Sequence, residues 1–218
     1  MEVPVNIDID EMITYIVEHL PKDALAHDPK GGNRSWTLHL KLLLEEYGKE
    51  RYELDSEYSN RSVGMSEFLI DFLWWDRRNE SQQQMVLAVE SEWYNIRPGL
   101  TDASRLYAEE VAKDFYKLMV VKSPYKLMTL SSEGGASRDL IVKRLEQDVA
   151  TFVGHVKGEQ YILLDSSPKD DWAAYQLLIA EDGVCRAHFS KREIRRGQWQ
   201  PSRWKLTANV SRKPAMPG

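Results

Sequence analysis

Two apolar runs broken by acids decide how this chain folds: Phe68-Leu-Ile-Asp-Phe-Leu-Trp-Trp75 and, after the polar stretch Asp76 to Gln84, Met85-Val-Leu-Ala-Val-Glu-Ser-Glu-Trp93. Each has the length and the aromatic and β-branched content of a strand, and the polar stretch between them reads as the turn of a hairpin. Asp71 lies inside the first run, and Glu90 and Glu92 close the second. A strand repeats every two residues, so Glu90 and Glu92 share one face, with Cα atoms about 6.5 to 7 Å apart, while Ser91 and Trp93 share the other. With Asp71 on the neighbouring antiparallel strand, three carboxylates reach a common point. Unpaired buried carboxylates cost several kcal/mol and raise one another's pKa. A hard divalent ion with oxygen ligands, Mg2+ or Mn2+, removes both difficulties. The simpler reading is the solvated end of a hairpin.

Working outward, Asp8 to Leu20 carries helical spacing at Ile9, Met12, Ile13, Ile16, Val17 and Leu20, with Pro21 as the expected stop and Lys22 to Arg34 as a polar loop. Ser35 caps an expected second helix with Leu38, Leu42, Leu43 and Tyr47 as its stripe and Gly48 as its end. Tyr52 to Tyr58 reads as a first, polar strand. Beyond Pro98-Gly99, Thr101 or Asp102 opens a long helix to Val121, whose stripe Tyr107, Val111, Phe115 and Leu118 includes Asp114. Tyr125 to Leu130 is a further strand, Asp139 to Phe152 a helix and Gln160 to Asp165 a strand. Tyr175 to Ile179 and Val184 to Phe189 form a closing hairpin around Glu181-Asp-Gly183. The alternation predicts an α/β layered fold with a mixed sheet.

The 218 residues, 42% of them hydrophobic, fill one good-sized core. No run approaches the roughly 20 apolar residues of a membrane span, and Met1-Glu-Val-Pro-Val-Asn lacks the basic and apolar regions of a signal peptide, so a cytoplasmic location is expected. The one cysteine, Cys185, excludes an intramolecular disulfide framework and reads as a strand residue. Net charge is −5, unevenly spread: Arg186 to Gly218 carries +8, leaving −13 on the rest. Within this segment Arg192, Arg195, Arg196 and Arg203 are interleaved with Trp199 and Trp204, a mixture suited to phosphates and unstacked bases. The alternative is a solvated tail that pairs with the acidic body.

From Ser35 to Leu130 the order of elements resembles the PD-(D/E)XK nuclease superfamily, whose core is a helix, a three-stranded meander, a crossover helix and a further strand. The resemblance implies a restriction-endonuclease-like mixed β-sheet flanked by helices over 35–190. An N-terminal helix and polar loop precede it over 1–34, and a C-terminal β-hairpin leads into a basic, Trp-containing tail over 191–218. It implies that Asp71 and Glu90 bind Mg2+ or Mn2+, that Glu45 or Glu46 of the helix completes the metal shell, and that the chain hydrolyses phosphodiester bonds of nucleic acid, DNA foremost. Glu92 stands where the family usually has lysine. Some restriction endonucleases of the superfamily also carry Glu-x-Glu, and Lys117, in Asp114-Phe-Tyr-Lys-Leu118, is a candidate replacement from the long helix; its other reading is a helix lysine paired with Asp114 or Glu110. A homodimer is a further implication, because nucleases of this superfamily often pair to cut both strands.

The competing expectation is a noncatalytic interaction protein on the same scaffold, with Asp71 and Glu90 paired to Lys117, Lys122 or Lys126 and a protein as partner. Glu90 and Glu92 on one strand face do not flank a sugar as glycosidase acids do. No Gly-x-Ser-x-Gly, P-loop or Gly-x-Gly-x-x-Gly is present, and the five histidines lack ligand spacing.

Overall fold

The computed structural model describes residues 5–27, 33–58, 70–79, 81–93, 102–132, 135–166, 171–179 and 190–195. Among the described residues four helices, α1 (Ile9–His27), α2 (Asn33–Tyr52), α3 (Ala103–Val120) and α4 (Gly135–Thr151), surround a mixed sheet. Its strands are β1 (Asp55–Tyr58), β2 (Phe72–Asp76), β3 (Gln84–Glu92), β4 (Tyr125–Ser131), β5 (Gln160–Ser166), β6 (Asp171–Leu178) and β7 (Ser190–Arg195), and they lie side by side in sequence order. β1, β2 and β3 form an antiparallel meander. β4 joins β3 in parallel, β5 joins β4 in parallel, and β6 and β7 return antiparallel. The two parallel steps need crossovers long enough to reverse the chain, and α3 and α4 supply them.

Strand alternation divides the apolar residues between two cores. Phe72, Trp74, Leu87, Val89, Leu127 and Ile162 face α1 and α2, whereas Leu73, Ala88, Met128, Leu130, Tyr161 and Leu163 face α3 and α4. The result is a three-layer α/β/α arrangement, and the α/β mixed sheet flanked by helices is what the alternation of elements predicted. No helix among the described residues is long and apolar enough to cross a membrane.

Several boundaries differ from those expected. α1 does not stop at Pro21 but continues to His27, inside the expected loop; a proline forfeits the hydrogen bond to the carbonyl four residues back without ending a helix held on its N-terminal side by Ile13, Ile16, Val17 and Leu20 in the core. Asp8 caps it, accepting from the Glu11 N–H at 3.0 Å. α2 starts at Asn33, before Ser35, and passes through Gly48. The glycine is needed there because a Cβ would lie 2.5 Å from Trp74 Cε2. The helix ends instead at Tyr52, followed by Glu53 in the left-handed region at φ 55°, with the Leu54 N–H turned back onto the Gly48 carbonyl at 3.1 Å. α2 is also rotated from its expected phase. Leu38 and Leu42 are exposed, and Leu40, Leu43, Leu44 and Tyr47 face the core at i, i+3, i+4 and i+7.

β2 begins at Phe72, so Asp71 occupies the bend before it and not the strand interior. α4 starts at Gly135, four residues earlier than expected. The closing hairpin pairs β6 with a strand at Ser190–Arg195. The expected turn at Glu181-Asp-Gly183, the strand Val184 to Phe189 and Cys185 lie outside the described residues.

Candidate metal and catalytic site

The register of β2 on β3 sets Phe72 against Val89, which brings Asp71, one residue earlier, level with Glu90. On β3, Ala88 belongs to the core under α3, and the same parity sends Glu90 and Glu92 to that face. Ser91 and Trp93 face α2, where Ser91 Oγ lies 3.1 Å from Thr37 Oγ1 and the Trp93 indole donates to Thr37 Oγ1 at 2.9 Å. The acids therefore gather at the carboxyl end of β3, where parallel sheets commonly hold their ligands.

Asp71 is firmly engaged. Its Oδ1 accepts from Lys41 Nζ of α2 at 3.2 Å, and its Oδ2 accepts from the Ser91 N–H at 3.0 Å and from Ser91 Oγ at 2.8 Å. Glu90 is 2% exposed; Lys117 Nζ of α3 lies 3.4 Å from its Oε2, and its Oε1 has no hydrogen-bond partner among the described residues. Lys117 also meets Asp114 Oδ1 at 2.7 Å. Burial, with Asp71 and Asp114 adding repulsion and Lys117 opposing, pushes the Glu90 carboxyl up to about 8. Burial and the charge and hydrogen bond of Asp114, with smaller contributions from Glu110 and Asp71, push Glu92 up to about 7. Partial burial works against the Lys117 charge, but Asp114 and Glu90 outweigh it and hold its ammonium above its ordinary value. Four acids and two lysines thus form one electrostatic unit with excess negative charge.

Of the residues expected in the site, the structure brings together Asp71, Glu90, Glu92 and Lys117. Glu45 and Glu46 go elsewhere: Glu45 accepts from Tyr58 Oη at 2.8 Å and Glu46 from Tyr15 Oη at 3.3 Å, on the helix that covers the other face of the sheet. The residue that α2 sends to the acids is Lys41. Lys126, an expected partner for the acids, lies at the opposite end of β4, fully buried, with Nζ 3.0 Å from Glu159 and 3.1 Å from Tyr161 Oη. Arg192 and Arg195 lie on β7, while Arg196, Trp199, Arg203 and Trp204 lie outside the described residues. Lys41, Ser91 and Asp114 are the site residues that the sequence analysis did not select. Asp114 left a signal, an acid within the buried stripe of α3; Lys41 left one only if the correct phase of α2 is known.

Among the described residues, no group of three or more His, Cys, Asp or Glu is arranged to hold a metal ion as it stands. The donors nevertheless suit Mg2+ or Mn2+: the orphaned buried Glu90 Oε1 is a hard oxygen without a proton donor, and Mg2+ usually takes only one or two carboxylates, completing its shell with water and substrate phosphate. Compared with known proteins, the chain matches no family model, no curated protein and no solved structure.

Proposed function

We propose that the chain is a divalent-metal-dependent nuclease that hydrolyses phosphodiester bonds of nucleic acid. The observation that carries this reading is Glu90, a buried carboxyl with one oxygen unpartnered among the described residues, set among Asp71, Glu92 and Asp114 at the carboxyl end of β3. Glu90 would hold Mg2+ or Mn2+ through Oε1. When bound, the ion supplies charge stabilisation at the scissile phosphate and acidifies a water. Glu92, held near neutrality, is matched to accept the proton of the attacking water. Asp71 acts as a positioning residue: by holding the Ser91 N–H and hydroxyl it fixes the end of β3 from which Glu90 and Glu92 project. Lys117 balances part of the charge from the helix, the place at which a migrated lysine was expected. The restriction-endonuclease-like assignment of the sheet belongs to the same proposal, supported by the β1–β2–β3 meander followed through α3 by parallel β4.

Nucleic acid as substrate draws support from register. Arg195 pairs with Asp171, and the neighbouring Trp172 with Ser166, at the edge where Ser131 and Glu92 also end their strands. The chain therefore leaves β7, within its basic segment, at the end of the sheet that carries the acids. In the presence of Mn2+ the purified protein should nick supercoiled plasmid DNA, and Glu90→Gln should reduce the rate at least about a hundredfold, as removal of a principal charge-stabilising group does. Equal rates in the two proteins, or none in either, would overturn the assignment.

The second reading, a noncatalytic interaction protein, draws support from Asp71, whose two oxygens are already taken by Lys41 and Ser91. It differs in predicting no affinity for Mn2+.

A further inference from the structure

The Lys117 ammonium is a cation set between carboxylates from two different elements, 3.4 Å from Glu90 of β3 and 2.7 Å from Asp114 of α3. We infer that Lys117 is an internal stand-in for the divalent ion, and that the ion displaces it to bridge Glu90 and Asp114, joining strand to helix and leaving Asp71 outside the ligand set. This rests on the metal-dependent reading above but moves the site away from the pair Asp71 and Glu90.

Three observations carry it. Among the described residues Glu90 Oε1 is buried without a partner, so Lys117, which meets only Oε2, leaves the carboxyl half satisfied. A primary ammonium has three donors on one point charge, whereas a divalent ion carries twice the charge and approaches carboxylate oxygens to about 2.0 to 2.1 Å; it gains more from the same pair once each acid closes in by roughly 1 Å. The Lys117 side chain is 36% exposed, so its ammonium has a path into water on displacement, which Lys41, at 5%, does not. Asp71, by contrast, has both oxygens occupied, Oδ1 by Lys41 of α2 and Oδ2 by the Ser91 N–H and hydroxyl of β3.

The test is Mn2+ affinity of the intact chain, by calorimetry and by electron paramagnetic resonance, in parallel with thermal unfolding to confirm that each variant is folded. Lys117→Met should raise affinity about tenfold, and Lys117→Gln should do so in the same direction; Asp114→Asn and Glu90→Gln should each lower it about tenfold or more, while Asp71→Asn changes it by less than about threefold. Affinity lost in Asp71→Asn and kept in Asp114→Asn would overturn the inference while leaving the nuclease reading intact. Unchanged or weaker binding in both Lys117 variants would remove the stand-in role. No Mn2+ binding in the wild type or in either Lys117 variant would defeat the inference and the metal-dependent reading together.

Discussion

At the scale of single residues the decisive group is Glu90. An acid that folding raises from the ordinary carboxylate range to about 8 binds more protons in the folded chain than in the unfolded chain between those values. Stability is therefore greatest below the ordinary carboxylate range and is lost as pH rises towards 8, with a slope of up to about 1.4 kcal/mol per pH unit from this one group. In chelator-treated protein the unfolding temperature should fall between pH 6 and pH 8. Glu90→Gln, permanently neutral and of the same shape, should flatten that fall; a variant as pH-sensitive as the wild type would place the titration elsewhere. Glu90 and Glu92 were legible in the sequence because a carboxylate directly after an apolar run announces its own desolvation, whereas Asp71, expected inside a strand, lies in the bend before it. Lys41 was not legible. Leucines at 38, 40, 42, 43 and 44 allow two helical phases, and only the observed one turns residue 41 inward.

Among the elements, α2 shows most directly how a local rule yields to packing. Glycine near a helix end is ordinarily read as a stop, and glycine within a helix is ordinarily improved by alanine, by about 1 kcal/mol. Gly48 follows neither rule, because it is the point at which α2 rests on the Trp74 indole, whose Nε1 donates to the Leu44 carbonyl at 3.0 Å. Gly48→Ala should destabilise the fold by about 1 to 3 kcal/mol, since the added methyl must displace a fully buried ring. A urea midpoint equal to or above that of the wild type would show that α2 lifts off without loss. Strand β3 was readable almost to the residue, Met85 to Trp93 expected and Gln84–Glu92 observed, because a long apolar run bounded by polar residues has one interpretation. β2 proved shorter than its apolar run for a reason no periodicity carries: the chain bends at Asp71, where the carboxylate leaves the ladder to accept from Ser91. β6 and β7 were displaced along the sequence for a related reason. Which segments pair is set by the neighbouring strand β5, whose seven residues each find a partner on β6.

Across the whole molecule the sheet gives distance to the charge imbalance of the sequence. β3 and β7 are four strand spacings apart, roughly 19 Å, and each strand of a B-form duplex places a phosphate about every 3.4 Å along the helix axis. A duplex that reaches from Glu90 to Arg195 would therefore span about six base pairs. The acidic body repels such a ligand, so binding must draw on the net +8 carried from Arg186 to Gly218. Each arginine that neutralises a phosphate releases counterions and steepens the salt dependence of binding by about one power of salt concentration. Replacing Arg195 and Arg196 together by alanine should weaken binding of a labelled duplex oligonucleotide longer than about six base pairs and flatten its slope against the logarithm of salt by about one to two. Binding by oligonucleotides too short to reach β7 should not respond to the substitution. An unchanged slope for the long oligonucleotide would detach the basic segment from the site, and the acids at the end of β3 would then need another source of attraction for a polyanion.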